Sequence, residues 1–430
     1  MTNTASSSLA IPKQASFVQS MSILGILYFL MGFITWVNGT MIQFLKIACE
    51  LSTSQALLVT LAFFVAYFVF GLPASVVINK TGYKAGMAWS LAIVAIGCLI
   101  FIPAANSRSY GLFLTGFFVQ CAGLALLQTA SNPYASIIGP IESAAKRISI
   151  LGICNKIAGA ISPYVIGSIV LKNATALETQ IDKTTDLAEK TVLLNNLASR
   201  VIMPYLVLAI VLIIIAFLIN RSSLPEIDTT EEPAETGAAV TTKRTSIFQF
   251  PYLLLGVLCI FMYVGVEVMA GDIIGIYGKS LGMSLDKTKY FTSFTLVAML
   301  VGYVIGIVTI PKYISQEKSL RICAILGLLF TTGAFLTTGN TAITFIALLG
   351  LANSLMWPAI FPLAISKLGR FTKIGSAMLV MGIVGGGVLP QIYGALANHI
   401  NFTHAFFYCM IPGYIYILYY AMAGHKVGLR

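Results

Sequence analysis

The chain has 430 residues, of which 58% are hydrophobic and only 10% are charged, and its mean hydropathy is +0.90. Soluble domains carry about 25% charged residues, so this composition excludes an ordinary soluble enzyme and predicts an all-α integral membrane protein. The formal net charge is +11, but the basic residues lie in short loops between apolar runs, as topology signals do. We therefore expect the lipid bilayer as a partner and no nucleic acid.

Twelve apolar runs are long enough to cross a bilayer, which takes about 20 helical residues. The predicted spans are, in chain order, 18–45, 54–79, 84–104, 109–138, 145–171, 201–220, 250–278, 287–311, 319–338, 341–366, 374–397 and 402–423. The segment between the sixth and seventh spans is polar, acidic and contains prolines, which predicts a flexible linker. The predicted domains are therefore 1–220 and 250–430, each a six-helix bundle, joined by a cytoplasmic linker at 221–249.

The distribution of basic residues predicts the orientation. With the N-terminus in the cytoplasm, the inner loops hold 16 lysines and arginines, the outer loops hold 9, and Lys156 lies within a span. We therefore expect both termini to be cytoplasmic, and the first apolar run, which is too long for a cleaved signal peptide, to be an uncleaved anchor. The longest outer loop is then 172–200, whose leucine-punctuated polar pattern predicts a short surface helix.

The two halves share a weak internal repeat. A Gly-x3-Pro-x3-Gly motif occurs once in span five and once in span eleven, and Tyr67 in span two has a counterpart in Tyr303 in span eight. Aligning the glycines of spans one and seven places Gly39 at the repeat position of Asp272. Two parallel six-helix repeats around a central linker resemble the plan of the major facilitator superfamily.

Three ionisable residues lie well inside the predicted spans, namely Lys156, Glu267 and Asp272. Hydrocarbon does not solvate charge, so such residues are functional candidates by default. If Lys156 and Glu267 meet between the halves, each stabilises the charge of the other. Asp272 lies nearer the outer end of span seven. The structural alternatives are a buried pair that locks two helices together and, for Asp272, a wetted helix end.

Amide and indole side chains concentrate in spans one, four, five and ten. A sugar needs directional hydrogen-bond partners for its hydroxyls and an apolar or aromatic platform for its ring, and these side chains supply both. We predict that they line one cavity at the midplane, with hydrogen bonding between helices as the structural alternative. The predicted substrate-binding residues are Asn38, Trp36, Gln128, Asn132, Asn155, Asn353 and Trp357.

No motif of a soluble enzyme stands out in the sequence. There is no phosphate-binding glycine loop, no nucleophile elbow and no pair of cysteines with metal-ligand spacing, and the seven cysteines are interpreted as small apolar packing residues. We therefore expect no catalytic residue, no certain metal site and no cofactor other than a coupling cation.

Six stretches carry a resemblance to a known family. They are FLMGFITWVNG (29–39), AYFVFGLPA (66–74), GLALLQTASNPY (123–134), ILGICNKIAGAISP (150–163), YVGVEV (263–268) and LANSLMWPAIFPLAI (351–365). They resemble the fucose–galactose–hexose family of sugar/cation symporters within the major facilitator superfamily, through nearly the whole chain. The chain is similar to members that carry glucose and galactose, and also to relatives that carry N-acetylglucosamine. The resemblance implies a small sugar as substrate, the bacterial inner membrane as location, and function as a monomer.

The resemblance transfers the family's sugar site better than its coupling site. In the fucose/proton symporters of the family, the coupling carboxylates fall on Gly39 and Gln128 of this sequence, where neither acid is present. The sugar-binding asparagine of span five matches Asn155, but the small residue that follows it is Lys156 here. Three routes stay open: a proton on one of the intramembrane acids, a sodium ion bound by oxygen ligands, or uniport with Lys156 as a fixed charge.

These features together predict a secondary active transporter. It imports a hexose, such as glucose or galactose, with H⁺ or Na⁺ by alternating access. A hexose uniporter and an N-acetylglucosamine transporter are alternatives within the same class. A drug or metabolite exporter and a sugar-sensing receptor are alternatives from other classes, but an exporter cavity should contain fewer amides and a receptor would need a sizeable cytoplasmic signalling part.

Overall fold

The computed structural model describes residues 14–138, 144–222, 224, 246–310, 313–366, 368 and 371–428. The helices of the first half are α1 (Gln14–Thr35), α2 (Asn38–Ala48), α3 (Thr53–Ala56), α4 (Leu58–Thr81), α5 (Tyr83–Asn106), α6 (Tyr110–Ile137), α7 (Ala144–Val170), α8 (Ala174–Lys183), α9 (Leu187–Ser199) and α10 (Ile202–Arg221). The helices of the second half are α11 (Pro251–Gly271), α12 (Ile274–Ser280), α13 (Leu285–Thr288), α14 (Phe291–Thr309), α15 (Gln316–Leu336), α16 (Gly339–Asn353), α17 (Met356–Ile365), α18 (Thr372–Met381), α19 (Gly385–Ala397) and α20 (Phe402–Met422).

Twelve stretches of the described residues are helical, long and apolar enough to span a bilayer, which confirms the predicted fold class. Twelve is an even number, so α1 begins and α20 ends at the same face of the molecule, which we call the terminal face. The opposite face is called the far face. The side of the membrane on which the termini lie stays a prediction. Most of the predicted linker, 225–245, lies outside the described residues.

Among the described residues, six of the predicted spans are interrupted rather than continuous, and spans two and eight break near one end, between α3 and α4 and between α13 and α14. Span one breaks between α1 and α2, span seven between α11 and α12, and span ten between α16 and α17. Span eleven contains a 3₁₀ turn at Gly382–Val384 between α18 and α19. The break in span ten lies four residues before Pro358. A proline has no backbone N–H group, so Pro358 cannot donate a helical hydrogen bond to the carbonyl of Ser354. Interrupted membrane helices are typical of substrate and ion sites.

Glycines allow the closest helix pairs to form. α1 packs along α7, and a Cβ atom at Gly32 would lie 2.0 Å from the carbonyl oxygen of Asn155. In the second half, a Cβ at Gly350 of α16 would lie 2.0 Å from the carbonyl oxygen of Thr295 in α14. Such close backbone approach is how membrane helices gain packing energy, because lipid provides little hydrophobic drive for their association. Between the halves, α7 packs on α14 and α4 packs on α19.

The segment 172–200 is helical, as predicted, but it folds as two helices, α8 and α9, rather than one. The chain turns between them because Asp186 begins α9, where its side chain accepts the backbone amide of Ala188 at 2.9 Å. Aspartate is a strong helix-capping residue. The pair lies at the far face, where α8 contacts α13 of the second half.

Candidate functional site

A buried ion pair joins the two halves. The ammonium nitrogen of Lys156 in α7 lies 3.0 Å from Oε1 of Glu267 in α11, and each residue is 8% exposed. An isolated charge at this depth costs several kcal/mol, so each side chain requires its partner. The structure thus brings together two of the three intramembrane ionisable residues that the sequence analysis identified.

Trp36 covers the ion pair from the first half. It occupies the turn between α1 and α2, and its ring centroid lies 4.2 Å from the Lys156 ammonium, in cation–π contact. Glycines make room for the indole: a Cβ at Gly159 or at Gly271 would lie 2.5 or 2.6 Å from a ring atom. The break in span one therefore positions an aromatic ring between α7 and α11.

Three buried tyrosines interact electrostatically with the acidic member of the pair. The hydroxyls of Tyr263, Tyr303 and Tyr414 lie within electrostatic range of the Glu267 carboxylate. Tyr263 precedes Glu267 by one helical turn, a spacing that places both on one face of α11. The sequence analysis did not select these tyrosines. The four-residue spacing between Tyr263 and Glu267 could have identified Tyr263 as a neighbour of the carboxylate. The internal repeat marked Tyr303 only as the counterpart of Tyr67.

Asn353 and Trp357 of span ten join the same cluster through tyrosines. Asn353 is fully buried at the break after α16, and its Oδ1 accepts the Tyr414 hydroxyl at 2.9 Å. Its Nδ2 has no hydrogen-bond partner among the described residues. The Trp357 ring lies 6.4 Å from the ring of Tyr263. The cluster of Trp36, Lys156, Glu267 and these span-ten residues is called the midplane cluster below.

Gln128 and Asn155 make their contacts within the first half. Gln128 Nε2 donates to the Tyr67 hydroxyl at 2.7 Å, and Asn155 Nδ2 donates to the Tyr28 carbonyl at 3.3 Å. Both amides are partly exposed, so they keep hydrogen-bonding capacity for a ligand. The side chain of Asn132 lies outside the described part of the structure.

Asp272 lies at the break in span seven and contacts the break in span one. Its Oδ1 accepts the backbone amide of Gly39 at 3.2 Å, and the residue is 1% exposed. The two positions aligned by the internal repeat therefore touch each other.

Asn38, which precedes Gly39, is fully buried, and neither atom of its amide group has a partner among the described residues. The Asn38 amide can therefore still bind a ligand in the protein interior. It takes no part in the hydrogen bonds of the midplane cluster.

Further polar contacts between the halves concentrate at the far face. Gln43 of α2 and Thr288 of α13 exchange two hydrogen bonds, at 3.4 and 3.0 Å. Thr175 of α8 and Asp286 of α13 each donate a backbone amide to the side chain of the other. These contacts, with the Lys279–Glu178 ion pair, close the far face of the molecule.

A cavity of about 420 Å³ lies between the halves at the far face. None of the seven predicted substrate-binding residues lines it. Its charged lining residues are Lys46, Glu50, Glu178, Asp182, Lys190 and Lys279. The cavity therefore has a charged lining and lies near the loops. It is not the predicted amide-lined cavity at the midplane.

Comparison with known proteins identifies the family. Residues 24–395 match the model of the Major Facilitator Superfamily. The chain is 34% identical over 416 residues to the glucose/galactose transporter of Brucella abortus biovar 1 (strain 9-941), covering 96% of both chains. It is 27% identical over 386 residues to the L-fucose-proton symporter of Escherichia coli (strain K12), covering 89% of this chain and 88% of the symporter.

Solved structures agree with these matches. The crystal structure of the transporter FucP in the outward conformation superposes with a TM-score of 0.72 at 25% identity, covering 94% of this chain and 98% of FucP. The fold and the relatives are those of membrane transporters and not of enzymes. The match over most of the chain, together with the twelve apolar helices among the described residues, shows that the chain belongs to the Major Facilitator Superfamily.

Proposed function

We propose that the protein imports a hexose, glucose or galactose, together with H⁺ or Na⁺ across the bacterial inner membrane. The observation that carries this proposal is the midplane cluster, in which the buried Lys156–Glu267 pair joins the two halves among amide and aromatic side chains. The names of the glucose/galactose and L-fucose-proton relatives support a sugar as substrate. We also propose that a single chain suffices for transport.

The sugar would bind at the midplane between the halves. Asn353 offers a buried amide nitrogen without a partner, and Gln128 and Asn155 offer partly exposed amides. Trp357, which is partly exposed, supplies an aromatic face for the sugar ring, whereas the Trp36 ring is in contact with Lys156. We retain Asn38 and Asn132 as further candidates for hydroxyl contacts.

The far-face contacts support transport by alternating access. With the termini in the cytoplasm, the closed far face is the outer one, so this conformation would be closed to the outside. Rocking of the halves would break the Gln43–Thr288 contact and expose the midplane cluster to the outer side. Lys156 and Glu267 would link sugar occupancy to this motion, because their pairing joins one half to the other.

Uniport of a hexose is the second candidate, and one observation favours it. Lys156 already neutralises Glu267 at 3.0 Å, so Glu267 is not free to bind a coupling cation in this conformation. An exporter of apolar compounds fits less well, because the described midplane residues include several amides and charges.

Sugar exchange in proteoliposomes tests the proposal without assuming a coupling ion. Vesicles preloaded with unlabelled glucose should take up labelled glucose by counterflow, and excess galactose should compete. N-acetylglucosamine and a lipophilic drug substrate serve as comparison compounds. Counterflow of N-acetylglucosamine alone would reassign the sugar, and the absence of counterflow with all three sugars would contradict the proposal.

A further inference from the structure

The breaks in spans one and seven meet each other across the two halves. The amide of Gly39, at the start of α2, donates to Oδ1 of Asp272, which directly follows α11. A Cβ atom at position 39 would lie 2.9 Å from both the Cα and the carbonyl oxygen of Asp272. The approach of the two breaks therefore depends on glycine at this position.

The start of α2 is an electropositive environment for the carboxylate. The first backbone amides of a helix have no partner within the helix, and the aligned peptide dipoles add a partial positive charge there. α2 has 11 residues, and the Asp272 carboxylate occupies its N-terminal end while being 1% exposed. The second half thus supplies an anion to a helix end of the first half.

Hydrogen bonds from α14 hold the end of α11, just before Asp272, within the second half. The hydroxyls of Thr292 and Thr295 in α14 donate to the carbonyls of Gly271 and Ala270, each at 2.9 Å. These bonds satisfy the last carbonyls of α11 and tie the break to α14. When the halves separate at the far face, Asp272 moves with α14 and loses the amide of Gly39.

We infer that Asp272 is the carboxylate that binds the coupling cation, and that the N-terminus of α2 displaces this cation when the far face closes. The inference rests on the proposed cation-coupled transport and names its residue. In the closed conformation the buried carboxylate requires a positive partner, and once the halves separate that place is free for a cation. The partner is the helix end in the closed conformation and the cation in the open one.

Neighbouring groups are compatible with this role. Glu267 of α11 and Lys156 of α7 act electrostatically on Asp272, and these two are already paired with each other. Two buried oxygens have no partner among the described residues, namely Oδ1 of Asn38, which precedes Gly39, and Oγ of Ser293, which follows Thr292. H⁺ needs only the carboxylate, whereas Na⁺ takes several oxygen ligands.

The first test compares Asp272→Asn with the wild type in proteoliposomes. The amide keeps the size of the side chain and an acceptor for Gly39 but carries no charge. We expect counterflow exchange to persist and gradient-driven accumulation to fall to simple equilibration, because the neutral amide no longer attracts the coupling cation. Asp182→Asn, at the far-face cavity, is the matched control and should accumulate sugar normally. Accumulation by Asp272→Asn at the wild-type level would overturn the inference while leaving the transport proposal intact.

The second test reads the conformation directly and does not depend on the identity of the sugar. Thr40 is fully buried on α2 beside Lys289 of the second half, so Thr40→Cys in a cysteine-free chain reports separation of the halves at the far face. A membrane-impermeant thiol reagent should label it faster when the coupling cation is added, with Na⁺ at fixed pH and acid pH without Na⁺ as separate arms. Adding Asp272→Asn should abolish this response. A response that survives Asp272→Asn, or no response to either cation, would overturn the inference.

Discussion

At the scale of single residues, the Lys156–Glu267 pair dominates the energetics of the site. Both charges are buried, so each is stable only because the other is 3.0 Å away. Removing one partner leaves an uncompensated charge, which costs about 3–5 kcal/mol, whereas replacing both can be nearly neutral. The pair was predictable from the sequence because few ionisable residues lie inside the spans.

Single and double neutralisation should therefore differ in the size of their effect on stability. We expect Lys156→Met and Glu267→Gln each to lower the free energy of unfolding by about 3–5 kcal/mol, and the double variant to recover most of that loss. Thermal unfolding of the purified variants in detergent measures these changes in stability. Lys190→Met, which removes an exposed pair with Glu50 at the far face, should cost less than about 1 kcal/mol. A double variant that shows the full sum of both losses would contradict a stabilising ion pair.

Tyr414 provides a second prediction at this scale. Tyr414→Phe removes the hydroxyl that Asn353 accepts, leaving a fully buried amide without that partner. The expected loss is about 1–3 kcal/mol of unfolding free energy, measured in the same assay. Tyr408→Phe on the same helix is the control, because Tyr408 is 55% exposed and should change stability by at most about 0.5 kcal/mol. Equal losses in both variants would argue against the Asn353 contact.

No local pattern distinguishes Tyr414 within its aromatic-rich helix, which is why the sequence did not reveal it.

At the scale of elements, the sequence predicted the spans but not their interruptions. Hydropathy measures whether about 20 residues prefer lipid, and it is insensitive to whether their backbone hydrogen bonds are continuous. Pro358 was a readable signal for the break in span ten, whereas the breaks beside Trp36 and Asp272 contain no proline. The two-helix fold of 172–200 depended on one capping residue, Asp186, within a polar segment.

The contact between the breaks gives a prediction for the glycine that permits it. Gly39→Ala places a methyl group 2.7 Å from Thr292 Oγ1 and 2.9 Å from the Asp272 backbone. Overpacking of this kind costs about 1–3 kcal/mol, so the closed conformation should be disfavoured and sugar counterflow should slow. Gly25→Ala in α1 is the matched control, because the nearest atom, Cys154 Sγ, is at an ordinary 3.8 Å. Counterflow by Gly39→Ala at the control rate would show that the breaks need not approach this closely.

At the scale of the whole molecule, the far-face contacts join the two halves, and the proposed alternating access requires these contacts to break and re-form. Asp286 accepts the amide of Thr175 and pairs with Lys289 at 2.9 Å. Asp286→Asn removes the charge that faces the Thr175 amide of the other half, so closure should weaken by about 0.5–1.5 kcal/mol and thiol labelling of Thr40→Cys should increase by up to about tenfold. Glu317→Gln, an acid near Lys426 at the terminal face, is the control and should leave labelling unchanged. Reduced labelling in Asp286→Asn would contradict a role in closure.

Gradient-driven uptake tests the central claim of cation-coupled hexose import most directly. Proteoliposomes containing the wild-type protein receive labelled glucose under an inward Na⁺ gradient or an inward H⁺ gradient, imposed separately. We expect glucose to accumulate above the external concentration with one of the two gradients, and only to equilibrate when an ionophore collapses that gradient. Glucose and galactose that equilibrate without accumulating under either gradient would contradict cation coupling and identify a uniporter.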